Sequence, residues 1–193
     1  MSSKTPQAPD RWFGTDGIRG VAGEGVLTPS AVTKIGRALA RFAGAGADGP
    51  VRILVAGDPR PSTPEIVARL TGAMLAEGAL VTDIGIVPTP ALAWSAVSGE
   101  YDLGVMVSAS HNPPEYNGIK IVSAGRALSG PEIAELRERS AGPLPQGAGT
   151  LRREDFTQAY LAHLAADLKP DRPVRVAVDC GNGTAGLAAR RLL

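Results

Sequence analysis

The sequence feature that most restricts the fold is a short apolar run, LGVMV, at residues 103–107, which a polar cluster follows directly. An unbroken apolar run of this length predicts a strand covered on both faces, as in the parallel sheets of α/β proteins. The polar cluster, SASHNPP, carries Ser110. The next segment carries Lys120 on a predicted return strand that begins at Asn117-Gly118, a tight-turn sequence. Open α/β sheets bind ligands beyond the carboxyl ends of their strands, so we expect this cluster to form the functional site, with Ser110 at its chemical centre.

The residues around this run alternate between apolar segments and helix-start signals. Further strands are predicted at residues 51–56 and 79–84. Threonine caps a helix well and proline fits its first position, so Thr-Pro pairs predict helix starts; they begin at Thr28, Thr63 and Thr89. Another helix is predicted from residue 129. This order, with short connections, predicts an α/β fold: a mostly parallel mixed sheet flanked by helices.

A stretch rich in glycine and proline, residues 140–150, predicts a linker that closes a first domain. Beyond it we predict a helix at 154–168, a strand at 174–178 and a glycine loop that opens another helix. These elements divide the chain into a disordered lead-in, a first domain, a connecting helix with its linker, and the start of a second α/β domain that continues beyond this chain. Their predicted bounds are 1–10, 11–150, 151–172 and 173–193.

The overall composition argues against several classes of partner. The formal net charge is +1, which gives no reason to expect nucleic acid or an acidic membrane surface. No segment reaches the roughly 20 apolar residues of a membrane span, and the polar N-terminus lacks the apolar run of a signal peptide. Cys180 is the single cysteine, so no intrachain disulfide is possible, and we expect a cytoplasmic protein.

Several residues admit more than one interpretation. Ser110 and His111 suggest a hydrolase, but adjacent side chains rarely face each other and no G-x-S-x-G elbow surrounds the serine. Gly181-x-Gly183-x-x-Gly186 matches a dinucleotide fingerprint, although a glycine-shaped turn also explains it. His163, on a predicted helix, is interpreted as a surface or packing residue. Cations converging on Ser110 would instead indicate a phosphate site; the candidates are Arg19, Arg60, Lys120 and Arg126.

Three motifs in order narrow these alternatives. FGTDGIRG at 13–20, SASHNPPEYNGIK at 108–120 and VDCGNGTAG at 178–186 together resemble the α-D-phosphohexomutase superfamily, and within it the bacterial phosphoglucosamine mutases. The resemblance implies a four-domain enzyme, of which this chain would hold domain 1 and the opening of domain 2. It implies that glucosamine 6-phosphate and glucosamine 1-phosphate are interconverted through an enzyme phosphoserine and a bisphosphate intermediate. The implied partners are a hexosamine phosphate and its bisphosphate, and the oligomeric state stays open.

The resemblance also implies roles for individual residues. Ser110 would carry the phosphate and ligate Mg2+, whose remaining ligands are expected in the rest of domain 2. Arg19 and Lys120 would face the serine and bind substrate, Asn112 would join them in substrate binding, and His111 would support the loop. Proton transfer or phosphate stabilisation would fall to Lys120 or His111, and we favour Lys120 because the return strand carries it to the site.

The substrate and the activity of this chain stay open at this stage. In DPRPST at 58–63, Thr63 stands where the family's D-x-R-x-S-G loop has glycine, so the resemblance carries less weight there. By the same resemblance, Asp16 favours glucosamine phosphate over mannose or glucose phosphate, and a phosphomannomutase/phosphoglucomutase is the alternative within the family. The alternatives from other classes are a non-catalytic sugar-phosphate-binding fragment and a nucleotide-binding module built on the glycine loop. Since the loops of the later domains lie outside it, we predict no turnover by this chain alone.

Overall fold

A computed structural model of the chain describes residues 17–45, 49–97, 101–123, 126–128, 132, 136, 138–139 and 147–193. Its strands are β1 (Ile18–Val21), β2 (Arg52–Gly57), β3 (Leu80–Ile86), β4 (Leu103–Val107), β5 (Tyr116–Ser123), β6 (Arg126–Ala127) and β7 (Thr150–Arg153). Its helices are α1 (Pro29–Ala43), α2 (Thr63–Ala76), α3 (Thr89–Val97), α4 (Thr157–Asp167) and the short α5 (Ala189–Leu192), with 3-10 turns at Gly25–Leu27 and Thr184–Leu187. Residues 132, 136, 138 and 139 are helical, in the stretch where the sequence predicts a helix.

The strands form one mixed sheet in the order β1-β5-β4-β2-β3-β7, with β6 paired to β5. The pairings of β2 with β3, β2 with β4 and β3 with β7 are parallel. The parallel strands are joined by helical crossovers, since α2 connects β2 to β3 and α3 connects β3 to β4. β5 is antiparallel to β1, β4 and β6, so the sheet is less parallel than expected. The predicted α/β class, a mixed sheet flanked by helices, is confirmed.

Helices cover both faces of this sheet and divide the core in two. On one face, residues of α1 and α2 pack with Val105 of β4; on the other, residues of α3 and α4 pack with Met106. Both faces of β4 are therefore buried, as its apolar run predicted. Between α3 and α4, the ring of His163 stacks on Trp94 with centroids 5.2 Å apart, so His163 is an exposed residue with a packing contact, as the sequence predicted.

All three Thr-Pro pairs lie at helix starts, but the threonine is the N-cap only in α1; Thr63 and Thr89 are the first residues of their helices. Thr28 caps α1, because its Oγ1 accepts a hydrogen bond from the amide of Ala31 at 3.4 Å. Thr63 was expected to cap α2 but is instead its first residue, with Ser62 at the N-cap position. The hydroxyl of Thr63 donates to Asp58 at 3.1 Å, so a buried contact takes the place of capping. Among the described helices, none combines the length and the apolar character that crossing a membrane requires.

The end of the predicted linker belongs to the sheet. The sequence assigned residues 140–150 to a loop, and 140–146 lie outside the described residues. Thr150, however, begins β7, which runs parallel to β3 at the edge of the sheet. The TLRR sequence of β7 has little apolar character and shows no alternating apolar pattern that would predict a strand. Its strand conformation comes from pairing with β3. The division into two domains stays a prediction.

The strand predicted at residues 174–178 does not form. These residues pair with no described strand. Val174, Val176 and Val178 are more than half exposed, at 59%, 58% and 52%. The prediction of a strand from the apolar pattern is therefore wrong here, because a strand needs a hydrogen-bonding neighbour and the described residues supply none.

Candidate active site

The predicted serine cluster lies beyond the carboxyl ends of β2 and β4, beside a cavity of about 530 Å³. Ser110, His111 and Asn112 line this cavity from one side, and residues 58–61 line it from β2. A larger cavity, of about 760 Å³, lies around Arg52 and Arg152 at the opposite end of the strands. It is lined by none of the predicted site residues, so we take the cavity at Ser110 as the candidate site, in agreement with the general placement of ligands in α/β sheets.

Ser110 has an unusual backbone conformation. Its φ is +59°, in the left-handed region, which costs a non-glycine residue roughly 1–2 kcal/mol. Its amide donates to Ser108 Oγ at 3.0 Å, and its carbonyl accepts from Arg60 Nη2 at 2.8 Å. Its side chain is exposed beside the cavity. Neighbouring groups therefore hold both peptide groups of Ser110, and the strained residue presents its hydroxyl beside the cavity.

His111 lies closer to the serine hydroxyl than expected. Its Nδ1 is 3.4 Å from Ser110 Oγ. The expectation that the two adjacent side chains would not face each other is wrong here, because the left-handed turn at Ser110 brings them to the same side. Within the described part of the chain, His111 has no carboxylate as a hydrogen-bond partner, so a Ser-His-Asp triad is not assembled.

Arg60 lies in the loop that follows β2, residues 58–62. It is the main contact between this loop and residues 108–115, which join β4 to β5 and are called the serine loop below. The sequence placed it among cations that could bind phosphate. Its guanidinium instead donates to backbone carbonyls of the serine loop and of the first residue of β5: those of Ser110 and Asn112 at 2.8 Å, Tyr116 at 2.9 Å and Pro113 at 2.5 Å. Its Nε donates to Asp58 Oδ2 at 3.0 Å, and this pair is mostly buried. The loop geometry around Ser110 thus depends on a residue fifty positions earlier.

A buried network of hydrogen bonds around Asn117 joins the same two regions of the chain. Asn117 is 0% exposed; its Nδ2 donates to Ser62 Oγ at 2.9 Å and to Thr63 Oγ1 at 3.1 Å. Its Oδ1 accepts from the amide of Gly118 at 2.8 Å. The sequence predicted a tight turn at Asn117-Gly118, but both residues lie inside β5. The side chain of Asn117 therefore links β5 to the start of α2 through buried hydrogen bonds.

Arg19 and Lys120 lie on one face of the sheet. Directly opposite residues of paired strands share a face, and Arg19 pairs with Gly118 while Lys120 pairs with Met106. Met106 lines the cavity, so both cations lie on its side of the sheet; Lys120 itself is not among the described lining residues. Arg19 Nη1 also donates to Asn112 Oδ1 at 3.4 Å. The side chain of Arg126 and all of residues 13–16, including Asp16, lie outside the described part.

The glycine loop forms another wall of the same cavity, which sequence reasoning missed. Gly181, Asn182, Gly183 and Thr184 line it together with Ser110. Gly181 and Asn182 have left-handed φ values of +52° and +56°. The sequence indicated a glycine-shaped turn but assigned it to a second domain, and no local signal relates it to a serine seventy residues earlier.

Magnesium ligation finds little support among the described residues. They include no group of three or more His, Cys, Asp or Glu side chains that could hold a metal ion. Asp58, the carboxylate that follows β2, already accepts from Arg60 and Thr63. The described residues by themselves therefore do not form a complete Mg2+ site.

Known proteins resemble the chain over nearly its whole length. Residues 10–142 match a family model described as phosphoglucomutase/phosphomannomutase, alpha/beta/alpha domain I. A phosphomannomutase/phosphoglucomutase of Pseudomonas aeruginosa is 39% identical over 193 residues, which are 100% of this chain and 41% of that protein. A phosphoglucosamine mutase of Mycolicibacterium gilvum is 41% identical over 191 residues, covering 94% of this chain and 42% of that protein.

A solved structure gives the same result. The crystal structure of a phosphoglucomutase/phosphomannomutase family protein from Burkholderia thailandensis matches with a TM-score of 0.84 and 37% identity, over 94% of this chain and 41% of that one. The chain thus spans about two fifths of the length of these relatives.

Proposed function

The chain belongs to the phosphoglucomutase/phosphomannomutase family through its alpha/beta/alpha domain I, and from this premise we propose that it is the phosphoserine-bearing domain of a phosphohexomutase. In this proposal Ser110 gives a phosphoryl group to a hexose phosphate, the resulting bisphosphate reorients, and its other phosphate returns to Ser110. The observation that carries the proposal is the exposed, left-handed Ser110 beside a cavity of about 530 Å³ at the carboxyl end of β4. A cavity of this volume lies in the range of small-molecule sites.

The chemistry proposed for Ser110 relies on position and charge. The bond between Oγ and phosphorus breaks, phosphorus bonds to a sugar hydroxyl oxygen, and that hydroxyl loses its proton. Lys120 gives an ammonium proton to the released Oγ and takes the proton of the sugar hydroxyl, and Arg19 and Lys120 together offset the charge that spreads over the phosphoryl oxygens. His111, whose Nδ1 lies 3.4 Å from Ser110 Oγ, shares a proton with the oxygen that is released. Asn112, which accepts from Arg19, holds that guanidinium toward the substrate.

Mg2+ would add charge neutralisation at the phosphoryl group, with the phosphoserine as one of its oxygen ligands. Among the described residues, no cluster supplies the others.

Two substrate classes fit this proposal: glucosamine phosphate, and the phosphates of mannose and glucose. Asp16 in the FGTDGIRG motif favours glucosamine phosphate, and one of the relatives named above is a phosphoglucosamine mutase. The relative that aligns with the whole chain is a phosphomannomutase/phosphoglucomutase, which favours mannose and glucose phosphates. Steady-state rates on the three sugar phosphates, measured with a polypeptide of the relatives' full length, separate the two; the sugar with the highest kcat/KM identifies the substrate.

The phosphoserine itself is tested by intact mass before and after phosphatase treatment, after incubation with a hexose bisphosphate. We expect one phosphate that maps to Ser110 and disappears in Ser110→Ala. Ser30→Ala is the control, since Ser30 is an exposed serine of α1 that does not line the cavity, and it should leave phosphorylation of Ser110 in place. Phosphate found on Ser108, or retained in Ser110→Ala, would refute the assignment.

A further inference from the structure

The five donors of Arg60 lead to a role that differs from phosphate binding. We propose that Arg60 is a positioning residue: its guanidinium closes the serine loop and holds Ser110 in the left-handed conformation that presents Oγ to the cavity. The importance of this role for catalysis rests on the proposed function, whereas the conformational role does not.

The hydrogen bonds of Arg60 leave no donor for a ligand. An arginine side chain has five N–H donors, one on Nε and two on each Nη. Nε donates to Asp58, Nη1 to the carbonyls of Pro113 and Tyr116, and Nη2 to those of Ser110 and Asn112. All five are therefore used within the protein, so a phosphate could bind Arg60 only by displacing loop carbonyls.

The charge of Arg60 is also offset. Asp58 Oδ2 lies 3.0 Å from Nε, and the two side chains are only 11% and 12% exposed. Asp58 is in turn fixed, because its Oδ1 accepts from the backbone amide of Arg60 and from the hydroxyl of Thr63. The Arg60–Asp58 pair therefore contributes little net charge at Ser110. Its effect is to fix the position of the guanidinium that binds the loop carbonyls.

The serine loop needs such a contact because its carbonyls cannot join the sheet. Buried or half-buried carbonyls require partners, and the loop between β4 and β5 contains two consecutive prolines. Arg60 binds four carbonyls at one point: three lie in this loop, that of the strained Ser110 among them, and the fourth belongs to Tyr116, the first residue of β5. Loss of this contact removes the restraint that keeps Ser110 out of the extended region, where serine is more stable.

Replacing Arg60 by lysine separates a geometric role of the side chain from a role of its charge. Lysine keeps the positive charge but presents a single ammonium group and no planar fork, so it cannot reach four carbonyls and Asp58 together. If Arg60 acted through charge, Arg60→Lys would be mild; if it acts through geometry, Arg60→Lys and Arg60→Gln should have similar effects.

The first measurement is conformational and uses the chain itself. Carbon-13 NMR shifts of Ser110 Cα and Cβ should report a left-handed residue in the wild type and an averaged, more extended one in Arg60→Lys. Amide hydrogen exchange of Ser110, Asn112 and Tyr116, whose N–H groups donate within the loop, should rise about tenfold or more in Arg60→Lys and Arg60→Gln, while the amides of β2 and β4 stay protected. Arg69→Lys is the matched control, because Arg69 lies on α2 and pairs only with the exposed Glu65 at 3.0 Å.

Three results would overturn the proposal: extended-type shifts for Ser110 in the wild type, unchanged loop exchange in Arg60→Lys, or an equal rise in the loop and in the core strands. The last would mean that Arg60 stabilises the fold as a whole. In a polypeptide of the relatives' full length, Arg60→Lys should lower kcat by about a hundredfold with KM nearly unchanged. A wild type without mutase activity would refute the proposed function and leave the conformational result standing.

Discussion

Replacing Asn117 by alanine tests whether the buried polar network holds the strand beside the serine loop. Asn117 is fully buried in β5 and makes three hydrogen bonds, to Ser62 Oγ, Thr63 Oγ1 and the amide of Gly118. Alanine keeps the strand conformation but removes both the donor and the acceptor. The substitution therefore isolates the side-chain amide.

The size of the effect follows from which groups lose their partners. The amide of Gly118 loses its acceptor at 2.8 Å, and leaving a buried N–H unsatisfied costs about 1–3 kcal/mol. Thr63 Oγ1 keeps its bond to Asp58, and Ser62 is partly exposed, so their losses are smaller. With the small void that remains, we expect Asn117→Ala to lower the free energy of unfolding by about 2–4 kcal/mol. This is a large share of the stability of an ordinary domain, which is about 5–15 kcal/mol.

The assay is urea-induced unfolding at pH 7, followed by far-UV circular dichroism and extrapolated to zero denaturant. Ser62→Ala serves as the control within the same network, because it removes only one acceptor at a partly exposed position. It should cost less than about 1 kcal/mol. If Asn117→Ala costs no more than Ser62→Ala, the network does not hold this strand and the reasoning is wrong.

Two further predictions concern the packing of α1 against α2. Burial raises the pKa of Glu77, but the hydrogen bonds and charges of Arg41 and Arg37 outweigh it and lower the pKa below its ordinary value of 4.5. A carboxylate with a depressed folded-state pKa stabilises the fold above its unfolded pKa and loses that contribution as pH falls through the folded value. Glu77→Gln should therefore lower the free energy of unfolding by about 1–3 kcal/mol at pH 7, measured by urea unfolding. The difference from wild type should shrink below pH 4.5, and a difference that does not change with pH would contradict this. Gly36→Ala should destabilise by about 1–3 kcal/mol, because its Cβ would lie 2.8 Å from Ala73 Cβ and Leu70 O. Gly72→Ala, on α2 with no atom within 4 Å of the added Cβ, should stabilise by about 0.5–1 kcal/mol, and equal signs for the two glycines in thermal unfolding would refute the close helix contact.

The elements of the fold were predictable where their signals are local. The apolar run at 103–107 predicted β4 and its burial on both faces, because a strand between two helical layers cannot tolerate polar side chains on either face. Thr28 predicted the start of α1 because capping involves only the next turn of backbone. β7 could not be predicted, since its conformation depends on pairing with β3, some seventy residues earlier.

The candidate site was predictable in composition but not in contacts. Ser110, His111 and Lys120 could be identified because they cluster around one predicted strand end. The left-handed backbone of Ser110 carries no sequence signal of its own, since serine adopts this conformation only under tertiary restraint. The position of Arg60 after a predicted strand likewise made it a candidate for phosphate binding, because a charged side chain next to a strand end looks the same whether it binds a ligand or a loop.

The sequence by itself determined the α/β class and the family and proposed Ser110 as the centre of the candidate site, because periodicity, capping and motif order are properties of neighbouring residues. Only the tertiary structure decided that Arg60 uses its five donors within the protein, that Asn117 connects β5 to α2, and that residues 174–178 pair with no described strand. The physical reason is the same in each case. Hydrogen-bond donors and acceptors are satisfied by whichever groups the fold brings near them, and those groups lie far apart in the chain.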